Sequence, residues 1–298
     1  MRSSLLRCDS DVKEMRRLIG RCSSASRVVD FDEHMLLEGI RTRVRIWRHD
    51  GAVVGFAYVD DYCNLWFEAD PDTAPMDQLE AEIVEWGMQC MSGINQSRGE
   101  IAPLDLSCDT DDQYRLGFVG RNGFEPQEIR TLRYRCSLNG PIAEATLPKG
   151  YSIRSVRGKD EAPKLVALHR AAFGTANMTL DARLAMMSVA SYRQDMDLVA
   201  IAPDGEPAAF CVCGMANEGV GYTDPIGTHP RHRRLGLAKA VVAAGLVALR
   251  EAGAPTAELG TSSENEPMQE MARQLGYICV AERLWFSKAV PKSKDSVS

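Results

Sequence analysis

Basic residues are concentrated in one short stretch of the chain, HRRLGLAKAVV, which places Arg233, Arg234 and Lys239 around Gly236 and directly before a run of Ala, Val and Leu. The start of a helix presents free backbone N–H groups and the positive end of the helix dipole, so it binds anions. Cations are disfavoured at that end unless an anion is present. Gly236 and Ala238 keep the turn small enough for a bulky diphosphate to touch the backbone. The stretch therefore predicts a diphosphate site, and the alternative is a solvated basic start of a helix.

Other phosphate and metal motifs are absent from the sequence. It contains neither GxxxxGK[ST] nor GxGxxG, so a P-loop and a Rossmann turn are excluded. The nine cysteines are odd in number and form no CxxC pair, which argues against a disulfide framework or a zinc site. We expect no metal, small apolar roles for Cys211 and Cys213, and a reducing, cytoplasmic location.

The elements that would position this stretch can be read from its flanks. A strand is predicted near 220–228, and the helix that follows should end at the AGAP segment before Pro255. An Asp204-Gly205 hairpin precedes them, while a short strand, TAELGT, and a helix ended by Gly276 come after. Strands and helices mixed in this order predict an α/β or α+β domain with a central sheet.

The same landmarks occur twice in the chain. VRIWRHDGAVVGFAYV and LVAIAPDGEPAAFCVC are two hairpin patterns, and RNGFEPQEIRTLRYR has a counterpart in QLGYICVAERLWFSK. From Gly51 to Gly123 the chain advances 72 residues, and from Gly205 to Gly276 it advances 71. This spacing predicts a tandem duplication. The predicted organisation is a first domain at 1–140, a linker at 141–149, a second domain at 150–290 and a disordered tail at 291–298.

Charge limits the classes of partner. The net charge is −6, with 18 Lys and Arg against 25 Asp and Glu in residues 1–150 and 17 against 16 in 151–298. A general nucleic-acid binder would carry a basic face, so no nucleic-acid partner is expected. No apolar run of 18 residues exists, and the N-terminus has no apolar signal core, so no membrane partner is expected either.

HPRHRRLGLAKAVV resembles the acetyl-CoA-binding signature of the GCN5-related N-acetyltransferases (GNATs), Arg/Gln-x-x-Gly-x-Gly/Ala, through Arg233, Gly236 and Ala238. DLVAIAPDGEPAAFCVC and SSENEPMQEMARQLGY are similar to the hairpin and to the Asn-containing loop and last helix of the family. The resemblance covers about 150–288 directly and about 1–136 through the repeat. It implies an α/β (α+β) fold of two GNAT-like domains, each a mixed central sheet flanked by helices, in a tandem pseudo-dimer.

The resemblance also implies a site. Acetyl-CoA would serve as co-substrate, and an amine would attack the thioester directly. Asp224 falls where the family often places a carboxylate base, although a turn or strand-end role is the alternative; Tyr222 is a weaker neighbour. His229 and His232 are not favoured as bases, because the family places the first before the loop and the second facing solvent. The implied cofactor-binding residues are Ile226, Gly227, Thr228, Arg233, Arg234, Leu235, Gly236, Leu237, Ala238, Lys239 and Asn265.

Two departures from the family pattern affect this expectation. Ala272 stands where the family commonly has a tyrosine that protonates the departing thiolate. In the first half, the repeat offset places MDQLEAEIVEW opposite the anion loop, so Asp77, Glu80 and Glu82 stand at the helix start. Carboxylates there would repel a diphosphate. The first half is therefore expected to be degenerate and to lack a CoA site.

The predicted function is an acyl-CoA-dependent N-acyltransferase that acetylates a small-molecule primary amine. A catalytically impaired CoA-binding sensor and an enzyme like mycothiol synthase, a tandem member of the family, stay open as alternatives. An acidic first half facing the cleft would favour a cationic acceptor such as an amino sugar or a polyamine. The chain is expected to be a monomer or a homodimer.

Overall fold

The computed structural model of the chain describes residues 1–22, 26–72, 76–143, 145–216 and 219–291. The chain forms two compact units. The first comprises Met1–Arg130 with Arg283–Ser298, and the second comprises Thr131–Glu282. Of the predicted tail at 291–298, residues 292–298 lie outside the described residues.

The first unit has a four-stranded antiparallel sheet in the order β1-β2-β3-β4. The predicted Asp50-Gly51 hairpin joins two of these strands. The elements in chain order are β1 Arg2–Leu5, α1 Asp9–Cys22, α2 Ser26–His34, α3 Glu38–Arg41, β2 Arg45–His49, β3 Ala52–Val59, β4 Leu65–Ala69, α4 Met76–Arg98, β5 Leu104–Asp109, α5 Gln113–Arg121 and the start of β6 Glu125–Ser137.

The second unit repeats this order of strands and helices, except that two α-helices stand where the described first unit has three. Its elements are the end of β6, β7 Ser152–Ser155, α6 Ala162–Phe173, α7 Leu180–Met186, β8 Asp197–Ile201, β9 Pro207–Met215, β10 Gly221–Thr228, α8 Leu237–Glu251, β11 Thr256–Ser262, α9 Glu266–Gln274 and the start of β12 Ile278–Lys288. Its strands follow the order β6-β11-β10-β9-β8-β7. Only the β10–β11 pair is parallel, so the sheet is mixed, as predicted.

The boundaries between the units fall inside strands, not at the predicted linker. Residues 131–137 of β6 pair with β11 in the second unit, and residues 283–288 of β12 pair with β5 in the first. Burial follows the pairing: Tyr134 lies in the core of the second unit and Phe286 in that of the first. The predicted linker segment, apart from residue 144, which is not described, therefore belongs to the second unit.

Packing in the second unit places α8 and α9 on one face of the sheet and α6 and α7 on the other. Val241, Leu246 and Ala272 share a core with strand residues such as Ile226. Leu165 and Leu168 share a second core with Phe210. Apolar residues three and four apart give each helix one buried stripe, which explains why the helices lie against the sheet. None of the described helices is long and apolar enough to cross a membrane.

Candidate active site of the second unit

The strand before the anion loop separates from its parallel neighbour. β10 pairs with β9 as far as Thr228, but it pairs with β11 only at Gly221 and Tyr222. Both strands continue beyond this point, so a gap opens between them. The pairing with β9 is interrupted between Thr223 and Ile226, at Asp224 and Pro225. Backbone groups on the open edge of β10 are thus available to a ligand that enters the gap.

The three residues predicted to hold the pantetheine arm lie along this edge. The side chain of Ile226 is buried in the core beneath α8. A Cβ added at Gly227 would lie 2.8 Å from Cζ of Phe210 and 2.9 Å from Cβ of Ala172, so only glycine fits. In the described structure, the buried Oγ1 of Thr228 has no hydrogen-bond partner. This strand therefore offers backbone groups and one hydroxyl.

The anion loop connects β10 to α8. Arg234 has a φ of +64°, a left-handed conformation that is uncommon for a residue with a Cβ. Gly236 is the N-cap of α8 with a φ of +76°, and it provides no side-chain cap. Its carbonyl accepts the first helical hydrogen bond, from the N–H of Ala240 at 3.0 Å. The N–H groups of the first turn are accordingly left to bind another acceptor.

Two of the three cations predicted around the loop donate hydrogen bonds within the second unit. Nη2 of Arg233 donates to the carbonyl of Ala172, at the end of α6, over 2.7 Å. Nζ of Lys239 donates to Oε1 of Gln274 over 3.2 Å. Both hydrogen bonds are exposed and leave the positive charges in place. Together with the dipole of α8, these charges create a positive potential at the loop.

The remaining predicted binding residues differ in their environments. Leu235 is exposed, whereas Leu237 is buried, so Leu237 has only its backbone to offer a ligand. Ala238 packs against the core beneath α8. Asn265 caps α9, and its Oδ1 accepts from the N–H of Met268 at 3.3 Å.

The candidate base lies at the gap. Asp224 is exposed, and its Oδ2 is 3.6 Å from the place where a Cβ at Gly260 of β11 would lie. Its carboxylate therefore lies near the point where β10 and β11 diverge. Tyr222, the weaker candidate, is half-buried with its ring against Gly214 of β9.

Ala272, at the position where the family commonly has a proton-donating tyrosine, has no hydroxyl and is fully buried. Near the point where β10 leaves β11, the hydroxyl of Tyr277 lies 2.9 Å from Oγ1 of Thr223. Burial raises the pKa of Tyr277 well above its ordinary value. This buried pair was not predicted, because the sequence gives no signal that brings the two residues together.

The two loop histidines form local contacts. Nδ1 of His229 accepts from the N–H of Arg231 at 3.2 Å. Burial, followed by the charge of His232, lowers the pKa of His229. Nδ1 of His232 lies 2.8 Å from the hydroxyl of Tyr151, and its side chain is half-buried. The ring of His232 packs edge-on against Tyr151, so only part of this side chain is exposed to solvent.

A cluster of polar residues that was not part of the predicted site lies between the sheet and the helices α6 and α7. Arg183 and Asp197 form an ion pair in which both side chains are almost fully buried. His169 stacks on Phe173 with ring centroids 4.5 Å apart. The sequence contained only one hint of this group: His169 falls four residues after Leu165, on the apolar face of its helix.

The corresponding helix of the first unit begins differently. Asp77 is exposed in the first turn of α4, while Glu80 is buried and accepts from Nη2 of Arg121 at 2.8 Å. Glu82 accepts from the indole N–H of Trp47 at 2.7 Å. The carboxylates here are thus mostly held by donors of the same unit.

Part of the chain matches the model of a known protein family. Residues 164–277 match the model of the acetyltransferase (GNAT) family. This range includes the loop through which the sequence resembled that family, so the resemblance is confirmed. A curated relative, the mycothiol acetyltransferase of Arthrobacter sp. (strain FB24), is 28% identical over 170 residues. The match covers 53% of this chain and 52% of the relative, so the chain spans about half the length of that protein.

Solved structures resemble the chain over almost its whole length. A GCN5-related N-acetyltransferase from Sphaerobacter thermophilus has a TM-score of 0.65 at 19% identity and covers 100% of this chain and 98% of its own. A tandem GNAT protein from the clavulanic acid biosynthesis pathway has a TM-score of 0.66 at 14% identity and covers 98% of both chains. At these identities the likeness establishes the fold, which is that of a tandem GNAT protein.

Proposed function

Because residues 164–277 of the chain match the model of the acetyltransferase (GNAT) family, we propose that the second unit transfers an acetyl group from acetyl-CoA to a primary amine of a small molecule. The observation that carries the proposal is the gap between β10 and β11, which leads directly into the uncapped start of α8. The gap fits the pantetheine arm that carries the thioester, and the uncapped start of α8 fits a diphosphate.

In this proposal, acetyl-CoA lies along β10 with its diphosphate on the loop. The diphosphate accepts from backbone N–H groups at the start of α8, where Gly236 admits it without a side chain in the way. Arg233, Arg234 and Lys239 add charge, and Asn265 lies at the edge of the binding region. The pantetheine arm follows the backbone of Ile226, Gly227 and Thr228, with Leu235, Leu237 and Ala238 contributing through the loop and first helical turn.

The proposed reaction is direct attack. Asp224 takes a proton from the substrate ammonium, and the free amine forms a bond to the thioester carbonyl carbon. A backbone N–H of β10 stabilises the negative charge that develops on the carbonyl oxygen. The carbon–sulfur bond then breaks and releases the CoA thiolate and the protonated amide, which loses its extra proton to water.

Departure of the thiolate does not require the missing hydroxyl at Ala272. A thiol has a pKa of about 8.5, so its anion is a tolerable leaving group near neutral pH. Solvent water can protonate the thiolate after departure. The proposed reaction therefore proceeds without a dedicated acid.

One alternative is a CoA-binding sensor without turnover, and the buried Ala272 favours it. Another is the acetylation of a mycothiol precursor, which is suggested by the partial similarity to a mycothiol acetyltransferase. We propose a cytoplasmic site of action for each, because all nine cysteines are free thiols. The oligomeric state is proposed to be a monomer or a homodimer.

Turnover separates the transferase from the sensor. The purified chain is incubated with acetyl-CoA and a panel of primary amines, and release of free CoA is followed with a thiol reagent, while calorimetry measures acetyl-CoA binding. We expect binding, amine-dependent CoA release and an acetylated product by mass spectrometry. Binding with no amine-dependent release from any amine would reject the transferase and favour the sensor. No binding at all would reject both.

A further inference from the structure

A small cavity lies between α6, α7 and the irregular part of β10. It has a volume of about 10 Å³, enough for one water-sized group. Leu165, Met178 and Met186 form much of its wall, and Phe210 and Pro225 complete the side that faces the sheet. The two polar residues that line it are His169 and Arg183.

Both polar residues present a buried nitrogen that lacks a partner within the described structure. These atoms are Nδ1 of His169 and Nε of Arg183. Leaving a buried donor or acceptor unsatisfied costs free energy, so such atoms usually bind water or a ligand. Two of them on one water-sized cavity point to a single polar group that bonds to both.

The charges around the cavity exclude an ion as that group. The guanidinium of Arg183 is paired with Asp197, which also accepts from the hydroxyl of Tyr192 at 2.7 Å. Burial and, second, the charge of Arg183 lower the pKa of His169 to about 4, so the imidazole is neutral at pH 7. The wall therefore has no net charge. An ammonium group would be buried beside a guanidinium with no counter-ion of its own, which is costly.

The position of the cavity relates it to the proposed reaction. Pro225 belongs to β10 and directly follows Asp224, the proposed base. Phe210 lies against both the cavity and Gly227, the glycine proposed to bind the pantetheine arm. The ring of His169 contacts that of Phe173, and about half of Phe173 is exposed, so the imidazole lies close to the surface. The cavity therefore lies one residue along β10 from the proposed base.

We propose that the cavity is an acceptor subsite that receives an uncharged hydroxyl group, so that the enzyme selects amino alcohols, including amino sugars, over polyamines. This inference rests on the proposed acetyltransferase function. The hydroxyl oxygen accepts a hydrogen bond from Nε of Arg183, and the hydroxyl and Nδ1 of His169 share a second bond. His169 is a positioning and specificity residue in this arrangement and exchanges no proton with the reacting amine.

Three amines of equal chain length test the inference: 3-amino-1-propanol, butylamine and 1,3-diaminopropane, which end in a hydroxyl, a methyl group and an ammonium. Two-carbon homologues are included to vary the distance. With acetyl-CoA saturating, we expect kcat/KM for the amino alcohol to exceed that for the alkylamine about tenfold, the worth of about one net hydrogen bond. The diamine should be the poorest substrate.

The His169→Phe and His169→Asn variants identify the residue responsible. His169→Phe keeps an aromatic ring but removes both nitrogens. The ratio of kcat/KM for the amino alcohol to that for the alkylamine should therefore fall to within about twofold of unity. His169→Asn places an amide near Nδ1 and should keep most of the preference. Acetyl-CoA affinity, measured by calorimetry, should be unchanged in both and reports that the unit is folded.

The outcomes distinguish this inference from the function on which it rests. Acetyl-CoA binding without turnover of any amine rejects the transferase, and the subsite with it. Turnover in which the diamine equals the amino alcohol rejects the subsite alone. The subsite is also rejected if His169→Phe lowers kcat/KM for all three substrates by the same factor, because a structural role or a bound water would have that effect. If His169→Phe does not fold, the absence of a hydroxyl preference in His169→Asn or in the parent rejects the subsite.

Discussion

Gly236 is the residue on which the proposed CoA site depends most directly. In the protein alone, a Cβ at this position would meet no atom within 4 Å. Packing within the chain therefore does not require glycine at this position; the positive φ favours it, and the proposed diphosphate site would require it. A side chain would cost backbone strain of roughly 1–2 kcal/mol and would also enter the space assigned to the ligand.

We predict that Gly236→Glu lowers acetyl-CoA affinity by at least about a hundredfold, since it adds bulk and a negative charge beside the diphosphate. Gly253→Glu is the matched control, because Gly253 also has a positive φ and open space but lies at the far end of α8. It should bear similar strain and keep its affinity. Calorimetric titration measures both. A folded Gly236→Glu variant that binds like the parent would contradict the site.

Arg233→Ala should have a smaller effect than Gly236→Glu. A charge-assisted contact contributes roughly 1–3 kcal/mol, which is about 5- to 150-fold in affinity. Because Arg233 also donates to the carbonyl of Ala172, some of this loss would reflect a looser link between the loop and α6. Rising salt should weaken the parent more than the variant.

At the scale of elements, the position of β10 between two different neighbours creates the site. On the β9 side, Gly227 packs tightly against Phe210, and on the other side the strand is open beyond Tyr222. Pairing with β9 holds the backbone of β10 in place, while the unpaired edge that faces β11 leaves backbone groups available to a ligand. Pre-organised donors of this kind are what a developing oxyanion requires.

This arrangement predicts different outcomes for two Gly→Ala changes on adjacent strands. At Gly227 the new methyl group would clash with the ring of Phe210, and overpacking of this kind costs roughly 1–3 kcal/mol. At Gly260 of β11 the nearest atoms are 3.6 Å away, so Gly260→Ala should cost little. Urea unfolding of the two variants measures the difference. Equal stability would show that β10 is not held tightly from the β9 side.

The sequence predicted the positions of helices and strands better than it predicted which strands pair and which distant residues are in contact. Hairpins, helix stops and the anion loop have local signals, such as Asp204-Gly205 and Gly276, and the structure has the elements where those signals place them. The exchange of β6 and β12 between units was not predicted, because a strand's pattern of alternating side chains does not identify its partner. The group around His169 was missed for a similar reason, since burial of polar residues depends on distant contacts such as Arg183 with Asp197.

At the scale of the whole chain, the two units have closely similar orders of elements but differ at the place that would bind a diphosphate. In the second unit, cations and an uncapped helix start converge there. In the described part of the first unit, α4 begins with Asp77 exposed and with Glu80 bound to Arg121. A further buried ion pair, Arg115 with Glu68, joins α5 to β4 over 2.7 Å. These internal pairs stabilise the first unit and provide no charge for a nucleotide.

We therefore predict that each chain binds one acetyl-CoA, in the second unit. Calorimetric titration should give a stoichiometry near one, and Gly236→Glu should abolish this binding without exposing a second site. Asp77→Ala is the control in the first unit and should leave affinity within about twofold, because distant sites usually act independently. It is preferable to Glu82→Ala, which would remove the acceptor of the buried Trp47 indole and cost stability. Two equivalent sites in the parent, or residual binding of undiminished affinity in Gly236→Glu, would mean that the first unit binds CoA through groups other than a basic loop.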